Sequence, residues 1–251
     1  MYICIYIYIY THGIFFLEKL FFFLDMPPFF AYINPMIIQG DCLEIMSTMD
    51  DESVDCVVTD PPYNIGKDYG NDSDLQDSLD YEEWLSKVGS EIMRLATPEA
   101  WIAVFNGADR IKTTIDAFGA ENHVWTACWY APNKRHRSVY GFSLWQPIVL
   151  FRKSGRKWLK LRDFYSYTTG SEHYDHPTPK PYGLIRHLVS DFSSEEDVVL
   201  DPFLGSGTTA VAAAELNRNC IGIELNPDYI AVSEKRMLEE TNQMQLFQKQ
   251  K

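Results

Sequence analysis

Seven short apolar runs, rich in β-branched residues, recur along the chain from residue 36 onward, and each has the length and composition of a strand. They occupy residues 36–39, 54–59, 101–105, 123–130, 144–152, 197–201 and 220–224. Apolar residues at helical spacing fill the intervals 81–95, 111–118 and 184–192, and Pro227 is placed to open a last helix that runs to about Glu239. Strands that alternate with helices predict an α/β sheet that is mostly parallel and covered on both faces.

One pair of runs breaks the alternation. Residues 123–130 and 144–152 have no helical spacing between them, so they predict an antiparallel hairpin within the sheet. The helix over 81–95 follows a cap-like Asp80 with Glu83 three residues later, a pattern typical of a helix N-terminus. The fold class that follows is a seven-stranded α/β sheet with one antiparallel pair.

The charge of the chain is uneven. A formal net charge of −13 argues against a polyanionic partner for the molecule as a whole. Residues 122–162, however, contain no Asp or Glu and hold nine of the 22 basic residues. These nine are Lys134, Arg135, Arg137, Arg152, Lys153, Arg156, Lys157, Lys160 and Arg162. Such a segment could neutralise phosphates, and a solvated basic surface is the alternative.

Cysteine and histidine positions bear on metals and on the compartment. The five cysteines lie far apart in the sequence, so no zinc or disulfide framework is visible, which is typical of a reducing compartment. His173, Asp175 and His176 could suggest a metal, but they lie in a proline-rich stretch rather than on a helix. We therefore predict no metal site.

Residues 1–35 form an apolar leader that differs from the rest of the chain. It has no basic n-region and no small-residue cleavage site, so it is a poor signal peptide. Its uncharged run, 1–17, is interrupted by Thr-His-Gly and is shorter than the about 20 apolar residues of a spanning helix. Alternating Ile and Tyr is also what a repeated TATATA encodes, so our hypothesis is upstream read-through with the true start at Met36 or Met26. A short membrane anchor is the alternative, and peptides from residues 1–25 in mass spectrometry of the native protein would contradict read-through.

The sequence "DPPYN" (60–64) puts an acid, two prolines and a tyrosine at the carboxyl end of a strand. Proline fixes φ and donates no hydrogen bond, so this edge is rigid. It offers the carboxylate of Asp60, backbone carbonyls and the ring of Tyr63. Taken alone, the motif is also compatible with an ordinary turn after a strand.

A second stretch, "VVLDPFLGSGTTAVAAAELNRNCIGIELNP" (198–227), has the order strand, glycine loop, helix, strand. Gly205 and Gly207 allow the backbone to approach a ligand, and the helix that follows offers free N–H groups to an anion. Glu224, 19 residues after Gly205, is placed to accept two ribose hydroxyls. The loop lacks the lysine of a phosphate loop and the third glycine of a dinucleotide site. It predicts a nucleoside-containing cofactor with a small anion, and a simple tight turn is the alternative.

The two stretches are expected to share one site. Two strands cannot complete a nucleotide-binding sheet, so the remaining strands must come from residues before 198. Because the carboxyl ends of strands in open α/β sheets converge on one crevice, we expect Asp60 to lie near the glycine loop.

With these motifs in this order, the chain resembles the amino-group DNA methyltransferases that use S-adenosylmethionine, in the circularly permuted arrangement called the beta class. In that class a catalytic D/S-P-P-Y precedes F-x-G-x-G, as "DPPYN" precedes "FLGSG" (203–207) here. "HPTPKP" (176–181) matches the segment before the glycine loop, except that Pro179 stands where many members have Gln. "QGDCLEIM" (39–46) matches an upstream motif.

The resemblance covers about 36–240 and implies the family fold, a Rossmann-like, seven-stranded, mostly parallel sheet with an antiparallel hairpin, circularly permuted. We therefore expect a single methyltransferase domain over 36–240 and a polar tail at 241–251. No large insertion separates the motifs, so target recognition is expected from the loops at 65–76, 133–141 and 152–174.

The resemblance also implies roles for individual residues. Asp60 and the Pro61 carbonyl would accept hydrogen bonds from the exocyclic amine of a base, and Tyr63 would stack on that base after it leaves the duplex. The catalytic residues so implied are Asp60, Pro61, Pro62 and Tyr63. The cofactor residues so implied are Asp41 for the adenine, Glu224 for the ribose, Thr178 and Lys180 for the carboxylate, and Phe203, Gly205, Gly207 and Thr208 for the methionine end. Asp60, Asp201, Ser206 and Thr209 complete the expected cofactor site, with helix capping as the alternative for Ser206 and Thr209.

The target base follows from the first residue of the catalytic motif. An initial Asp is typical of adenine-N6 members and Ser of cytosine-N4 members, so we expect N6-methylation of adenine in double-stranded DNA. A cytosine-N4 enzyme, and a non-catalytic DNA-binding or regulatory protein of the same fold, are the alternatives. An RNA substrate is a weaker one, because such enzymes commonly carry Asn at the position of Asp60. A homodimer and a cognate restriction endonuclease are compatible partners, whereas we expect no membrane partner and a cytoplasmic location.

Aromatic residues are interleaved with the basic segment. They are Tyr140, Trp158, Phe164, Tyr165 and Tyr167. Cations beside stacking aromatics suit a DNA complex with a flipped base, and burial in the hairpin is the alternative for some aromatics, above all Trp145.

Arg156→Ala or Lys157→Ala is expected to weaken DNA binding about equally for all sequences and to flatten its salt dependence, because each removes one phosphate contact. Binding measured over a series of salt concentrations checks this. An unchanged salt dependence would remove this loop from the DNA face.

Overall fold

Ten strands and six helices follow one another in the described part of this computed structural model, which comprises residues 35–64, 77–133, 136–138, 141–154, 162–169 and 180–248. The strands are β1 (Pro35–Gln39), β2 (Val54–Thr59), β3 (Ala96–Phe105), β4 (His123–Tyr130), β5 (His136–Ser138), β6 (Gly141–Ser143), β7 (Trp145–Phe151), β8 (Phe164–Ser166), β9 (Val198–Asp201) and β10 (Asn219–Glu224). The helices are α1 (Cys42–Met46), α2 (Ser78–Leu95), α3 (Ile111–Phe118), α4 (Tyr182–Phe192), α5 (Thr208–Glu215) and α6 (Pro227–Gln248).

Eight of the strands form one sheet in the order β1-β10-β9-β2-β3-β7-β4-β8, and β5 pairs with β6 separately. The first five strands are parallel to one another, and β7 runs antiparallel to both β3 and β4. The fold class predicted from the sequence is therefore confirmed, including the antiparallel pair of β4 and β7. Strand β2 lies beside β9, which places the "DPPYN" strand next to the strand that leads into the glycine loop.

Buried side chains form a hydrophobic layer on each face of the sheet. Helices α4 and α5 supply one layer, through residues such as Leu188 and Ala213, together with Trp129 and Leu150 from the sheet. Helices α2 and α3 supply the other, through residues such as Leu85. The central strands are buried on both faces, which explains why their sequences read as continuous apolar runs.

Several details differ from the sequence predictions. The sheet has an eighth strand, β8, and the short ribbon β5–β6 overlaps the segment 133–141 that was expected to be a recognition loop. Helix α2 is capped by Asp77, whose carboxylate accepts a hydrogen bond from the Leu79 N–H, rather than by Asp80. The last helix continues to Gln248, beyond its expected end near Glu239.

The predictions for the leader and for the loop 65–76 concern residues that lie largely outside the described part of the chain. The leader to residue 34 lies outside the described residues, so the read-through hypothesis and the start at Met36 or Met26 stay predictions. The loop 65–76 also lies outside them. Among the described residues, no helix is both long enough and apolar enough to cross a bilayer.

Helices α2 and α3 approach closely at Gly89. A Cβ atom added to Gly89 would lie 2.3 Å from the backbone oxygen of Ala117, a distance that requires the helices to move apart. Gly89 therefore sets the packing distance of the layer that covers β3.

Gly89→Ala is expected to lower the free energy of unfolding by about 1–3 kcal/mol, because the added methyl overpacks a buried helix contact. In an exposed helix the same substitution would stabilise by about 0.5–1 kcal/mol, so the sign of the change is diagnostic. Urea unfolding checks it, with the exposed neighbour Ser90→Ala as the matched control. A gain in stability for Gly89→Ala would contradict the close approach.

Candidate active site

Asp60 follows β2 directly and has one donor on each carboxylate oxygen. The Tyr63 hydroxyl donates to Oδ1, and the Lys180 ammonium forms a short ion pair with Oδ2. Lys180 Nζ also lies 3.2 Å from the Tyr63 hydroxyl. The Lys180 side chain is 11% exposed and that of Asp60 28%, so the pair is largely shielded from solvent.

Two further side chains fix the rigid edge formed by the prolines. Gln146, at the start of β7 and 5% exposed, donates to the Tyr63 hydroxyl. The Tyr81 hydroxyl of α2 donates to the Pro62 carbonyl at 3.0 Å. Sequence reasoning missed both, since Gln146 is separated from Tyr63 by 83 residues and Tyr81 was expected only as an apolar position on a helix face.

Asp201, at the end of β9, is a buried carboxylate that links the two halves of the site. Its Oδ1 accepts from the Thr59 hydroxyl at 2.9 Å and from the Phe203 N–H at 3.1 Å, and its Oδ2 accepts from the Thr209 hydroxyl at 2.6 Å. Burial raises the pKa of Asp201 to about 6, against the lowering effect of these hydrogen bonds. Thr59 immediately precedes Asp60, so Asp201 fixes the catalytic strand to the glycine loop.

The glycine loop turns tightly between β9 and α5. Gly205 and Gly207 have φ of 54° and 79°, values that glycine adopts without strain. A Cβ on Gly207 would also lie 2.7 Å from the Cβ of Ser233 in α6, so the loop packs directly on that helix. Gly207 is the N-cap of α5, and no side chain caps this helix terminus.

Glu224 ends β10 beside this loop. Its Oε2 accepts from the Gly205 N–H and its Oε1 from the Asn226 N–H, both at 2.8 Å. Burial raises the pKa of Glu224. The backbone N–H of Leu225 is a third donor that lowers this pKa, so three backbone N–H groups hold the carboxylate at the end of β10.

The remaining predicted cofactor residues lie around the loop with internal partners. Thr208 accepts a hydrogen bond from Arg236 Nη1 at 2.8 Å, and the same nitrogen lies 3.3 Å from the Ser206 carbonyl. The Phe203 ring packs on Trp84 with centroids 5.6 Å apart. Arg236, 3% exposed on α6, is a loop support that sequence reasoning missed.

Asp41 lies at the end of β1, next to Glu224. It caps α1 through Oδ1, which accepts from the N–H groups of Leu43 and Glu44 at 2.9 and 3.1 Å. The Gly40 N–H donates to the Glu224 carbonyl at 3.0 Å. Thr178 lies outside the described residues.

The structure therefore brings most of the predicted site residues to one edge of the sheet. The carboxyl ends of the adjacent strands β1, β10, β9 and β2 carry, in that order, Asp41, Glu224, Asp201 and Asp60. An acid at each of four neighbouring strand ends, with a glycine loop between, suits a polar ligand with hydroxyl and cationic groups.

The expected DNA-contacting residues are only partly described. Tyr165 is 2% exposed and packs in the core, and the Tyr167 hydroxyl bonds to His187 Nδ1 at 2.8 Å, so these two aromatics have structural roles. Phe164 and Trp145, by contrast, are 56% and 42% exposed, so Trp145 is not buried in the hairpin.

Two of the nine expected cations also have internal partners. Lys153 Nζ donates to the Ala96 carbonyl at 2.6 Å, and the Arg152 guanidinium lies 5.2 Å from the centre of the Trp101 ring. Residues 134–135 and 155–161, which hold five of the remaining cations, lie outside the described part of the chain.

The described residues offer neither a metal cluster nor a reactive thiol. No three His, Cys, Asp or Glu side chains among them lie close enough together to hold a metal ion, while His173, Asp175 and His176 fall outside this set. Burial raises the pKa of the thiols of Cys56 and Cys220, so both stay protonated and unreactive.

An open α/β sheet with a glycine loop, an acid on the next strand and a second acidic motif on the adjoining strand defines a Rossmann-like group-transfer enzyme. The model of the DNA methylase family matches residues 54–235, and the chain belongs to this family.

Two curated relatives and one solved structure are similar along most of their length. The chain is 28% identical over 240 residues to the type II methyltransferase M.HpaI of Haemophilus parainfluenzae, with 84% of this chain and 76% of the relative covered. It is 27% identical over 244 residues to the DNA adenine methyltransferase YhdJ of Escherichia coli (strain K12), with 80% and 82% covered. The structure of the M1.HpyAVI–SAM complex superposes with a TM-score of 0.63 at 25% identity, covering 81% of this chain and 100% of that one.

Asp201→Asn is expected to remove a pH-dependent loss of stability. In the folded state the pKa of Asp201 is raised from 3.8 to about 6. Between about pH 4 and pH 6 the folded protein therefore retains a proton on Asp201 that the unfolded chain releases. The contribution of Asp201 to the free energy of unfolding falls across this interval and is constant above it. The stability of Asp201→Asn relative to the unmodified protein should therefore rise over this interval, by on the order of 2–3 kcal/mol.

Urea unfolding at several pH values measures this difference, and the exposed Asp50→Asn controls for the loss of one charge. A difference that stays constant from pH 4 to pH 7 would contradict an ionisable, buried Asp201.

Proposed function

We propose that the chain is a site-specific DNA methyltransferase that transfers the methyl group of S-adenosylmethionine to the exocyclic N6 of an adenine flipped out of the duplex. One observation supports it above all. The carboxylate of the "DPPY" motif lies at the same sheet edge as the glycine loop and Glu224, so the proposed acceptor for an amine and the proposed nucleoside site are neighbours.

The residues at this edge fit S-adenosylmethionine. Glu224 is held beside the glycine loop by its backbone donors, and an acid at this strand end suits the hydroxyls of a ribose. Asp41 at the adjacent strand end is assigned to the adenine, and the Gly205–Thr208 turn to the methionine end. The similar protein M1.HpyAVI was crystallised with this cofactor, which supports the choice of cofactor.

The chemistry asked of the protein is positioning. S-adenosylmethionine would supply an electrophilic methyl group on a sulfonium: the amine nitrogen would attack it as the carbon–sulfur bond breaks, S-adenosylhomocysteine would leave, and the methylated amine would release one proton. The exocyclic amine of a base is a poor nucleophile because its lone pair is delocalised into the ring. Acceptors for both amine hydrogens return electron density to the nitrogen and orient it, and Asp60 provides the first. The Pro61 carbonyl is assigned as the second, as the family resemblance implies, and the hydrogen bond from Tyr81 to the Pro62 carbonyl helps to hold this segment in place.

Tyr63 is assigned as the surface on which the flipped base stacks. Its hydroxyl contacts Asp60 and Gln146, which fixes the ring relative to the acceptor. A ring held at both its backbone and its hydroxyl offers a stacking face at low entropic cost.

Adenine is the proposed base for two reasons. The catalytic motif begins with Asp60, the residue typical of adenine-N6 members, and YhdJ is a relative named as an adenine methyltransferase. A cytosine-N4 enzyme would use the same geometry. A homodimer, a cognate restriction endonuclease and a cytoplasmic location stay predictions.

Incubation of the full chain with labelled S-adenosylmethionine and adenine-rich or cytosine-rich duplex DNA is expected to yield N6-methyladenine, identified by nucleoside mass spectrometry. Asp60→Ala should lower kcat by at least about 10²-fold, since it removes an acceptor aligned with the reacting amine. The exposed Asp50→Ala serves as the matched control and should leave the rate unchanged.

A methylcytosine product would overturn the choice of base but retain the mechanism. Binding of the cofactor without any methylated nucleoside would favour the regulatory alternative.

A further inference from the structure

Lys180 contacts a different group here from the one that its motif implies. The motif assigns its ammonium to the carboxylate of the cofactor, yet in this structure Nζ is paired with Asp60, the proposed catalytic carboxylate. The rings of Phe105 and Tyr63 lie 5.2 and 5.6 Å from Nζ, so two aromatic rings also contact the ammonium. A largely buried ammonium needs an anionic partner, and Asp60 supplies it.

This ion pair is incompatible with the proposed methyl transfer. As the amine nitrogen bonds to the methyl group, positive charge develops on that nitrogen, beside Asp60. An ammonium on the same carboxylate repels the developing charge and withdraws electron density from the acceptor oxygens. Lys180 must therefore leave Asp60 before the reacting state forms.

The cofactor provides a second anion for Lys180. Its methionine carboxylate is expected at the glycine loop, and that loop is tied through Asp201 to the residue that precedes Asp60. The lysine side chain is a flexible four-carbon stem, so its ammonium can turn from one anion to another.

We propose that Lys180 is a positioning residue that alternates between Asp60 and the carboxylate of the cofactor, so that cofactor binding frees Asp60 to receive the target amine. This inference rests on the proposed function. It makes the cofactor the first ligand to bind productively, because a base that arrives earlier meets a carboxylate already paired.

The exchange has a thermodynamic signature that requires no DNA and no knowledge of the recognition sequence. If Lys180 must leave Asp60 to reach the cofactor, breaking the Asp60–Lys180 ion pair costs free energy. This cost offsets part of the free energy that Lys180 contributes to cofactor binding. Without the negative charge of Asp60, Lys180 therefore contributes more to the affinity for the cofactor. The effects of mutating the two residues are then non-additive in a double-mutant cycle.

The test is isothermal titration of the full chain with S-adenosylhomocysteine, the unreactive product that keeps the methionine carboxylate. Lys180→Met retains the length of the side chain without its charge, and Asp60→Asn retains the oxygen that accepts from Tyr63. Lys180→Met is expected to weaken binding about threefold when Asp60 is present and about tenfold or more in the Asp60→Asn background. Equal losses in the two backgrounds, or a smaller loss in Asp60→Asn, would overturn the exchange.

A second ligand tests whether the coupling depends on the methionine carboxylate of the cofactor. 5′-Methylthioadenosine has the nucleoside but lacks the amino-acid end, so its affinity should change by the same small factor in both backgrounds. The same coupling for both ligands would mean that Lys180 and Asp60 act through the structure of the pocket, which would overturn the proposal.

A distant ion pair provides the matched control. Lys112 and Asp116 form an exposed pair on α3, and Asp116→Asn should leave the affinity for S-adenosylhomocysteine unchanged. If the unmodified protein does not bind S-adenosylhomocysteine at all, the proposed function itself fails. Binding without coupling overturns only the exchange of Lys180.

Discussion

The pairing of β2 with β9 is the constraint on which the site depends. It joins Val57 to Leu200 in parallel register, and beyond the last pair the Thr59 hydroxyl donates to Asp201 across 142 residues of sequence. The catalytic motif and the glycine loop are consequently held at neighbouring strand ends. A slip of one residue in β2 would turn every side chain to the opposite face of the sheet, so burial of both faces by helices keeps this register fixed.

Electrostatics distinguish the crevice from the face expected to meet DNA. Four acids lie at the ends of four adjacent strands, and the charge of Asp60 is among the causes that raise the pKa of Asp201. Such an edge attracts a cationic ligand and repels phosphate, which suits a cofactor with a sulfonium and an amino group. DNA phosphates must then bind at another part of the protein. The acid-free segment between residues 122 and 162 is the part of the sequence with enough positive charge to bind them. An acidic protein can in this way act on a polyanion.

Strand ends were predictable from the sequence because they follow from local patterns. The runs before Asp60, Asp41 and Glu224 are short and mostly apolar, and parallel strands bring their carboxyl ends together. Strand β8 was not predictable in this way, since its three residues alternate exposed, buried, exposed and carry no periodicity of useful length. Its Tyr165 therefore looks like a DNA-contacting aromatic in the sequence but packs in the core.

Contacts between distant side chains could not be predicted either. Lys180 reaches Asp60 across 120 residues, and Gln146 reaches Tyr63 across 83. Nothing near either residue in the sequence signals its partner, because the contact exists only once β7 has paired with β3 and α4 has packed on the sheet. The motif gives Lys180 a cofactor to bind, and only the three-dimensional arrangement shows that it also contacts the acceptor.

The most direct test of this account separates binding from transfer in the shared crevice. Equilibrium dialysis with labelled S-adenosylmethionine, followed by a single-turnover reaction on duplex DNA at saturating cofactor, would be applied to Asp60→Asn and Glu224→Gln. The account predicts that Asp60→Asn retains cofactor affinity within about tenfold but loses transfer by at least about 10²-fold. Glu224→Gln should lose affinity while keeping its saturated rate within a few fold. Loss of affinity and transfer together in both variants would contradict a crevice in which one strand end binds the cofactor and its neighbour orients the amine.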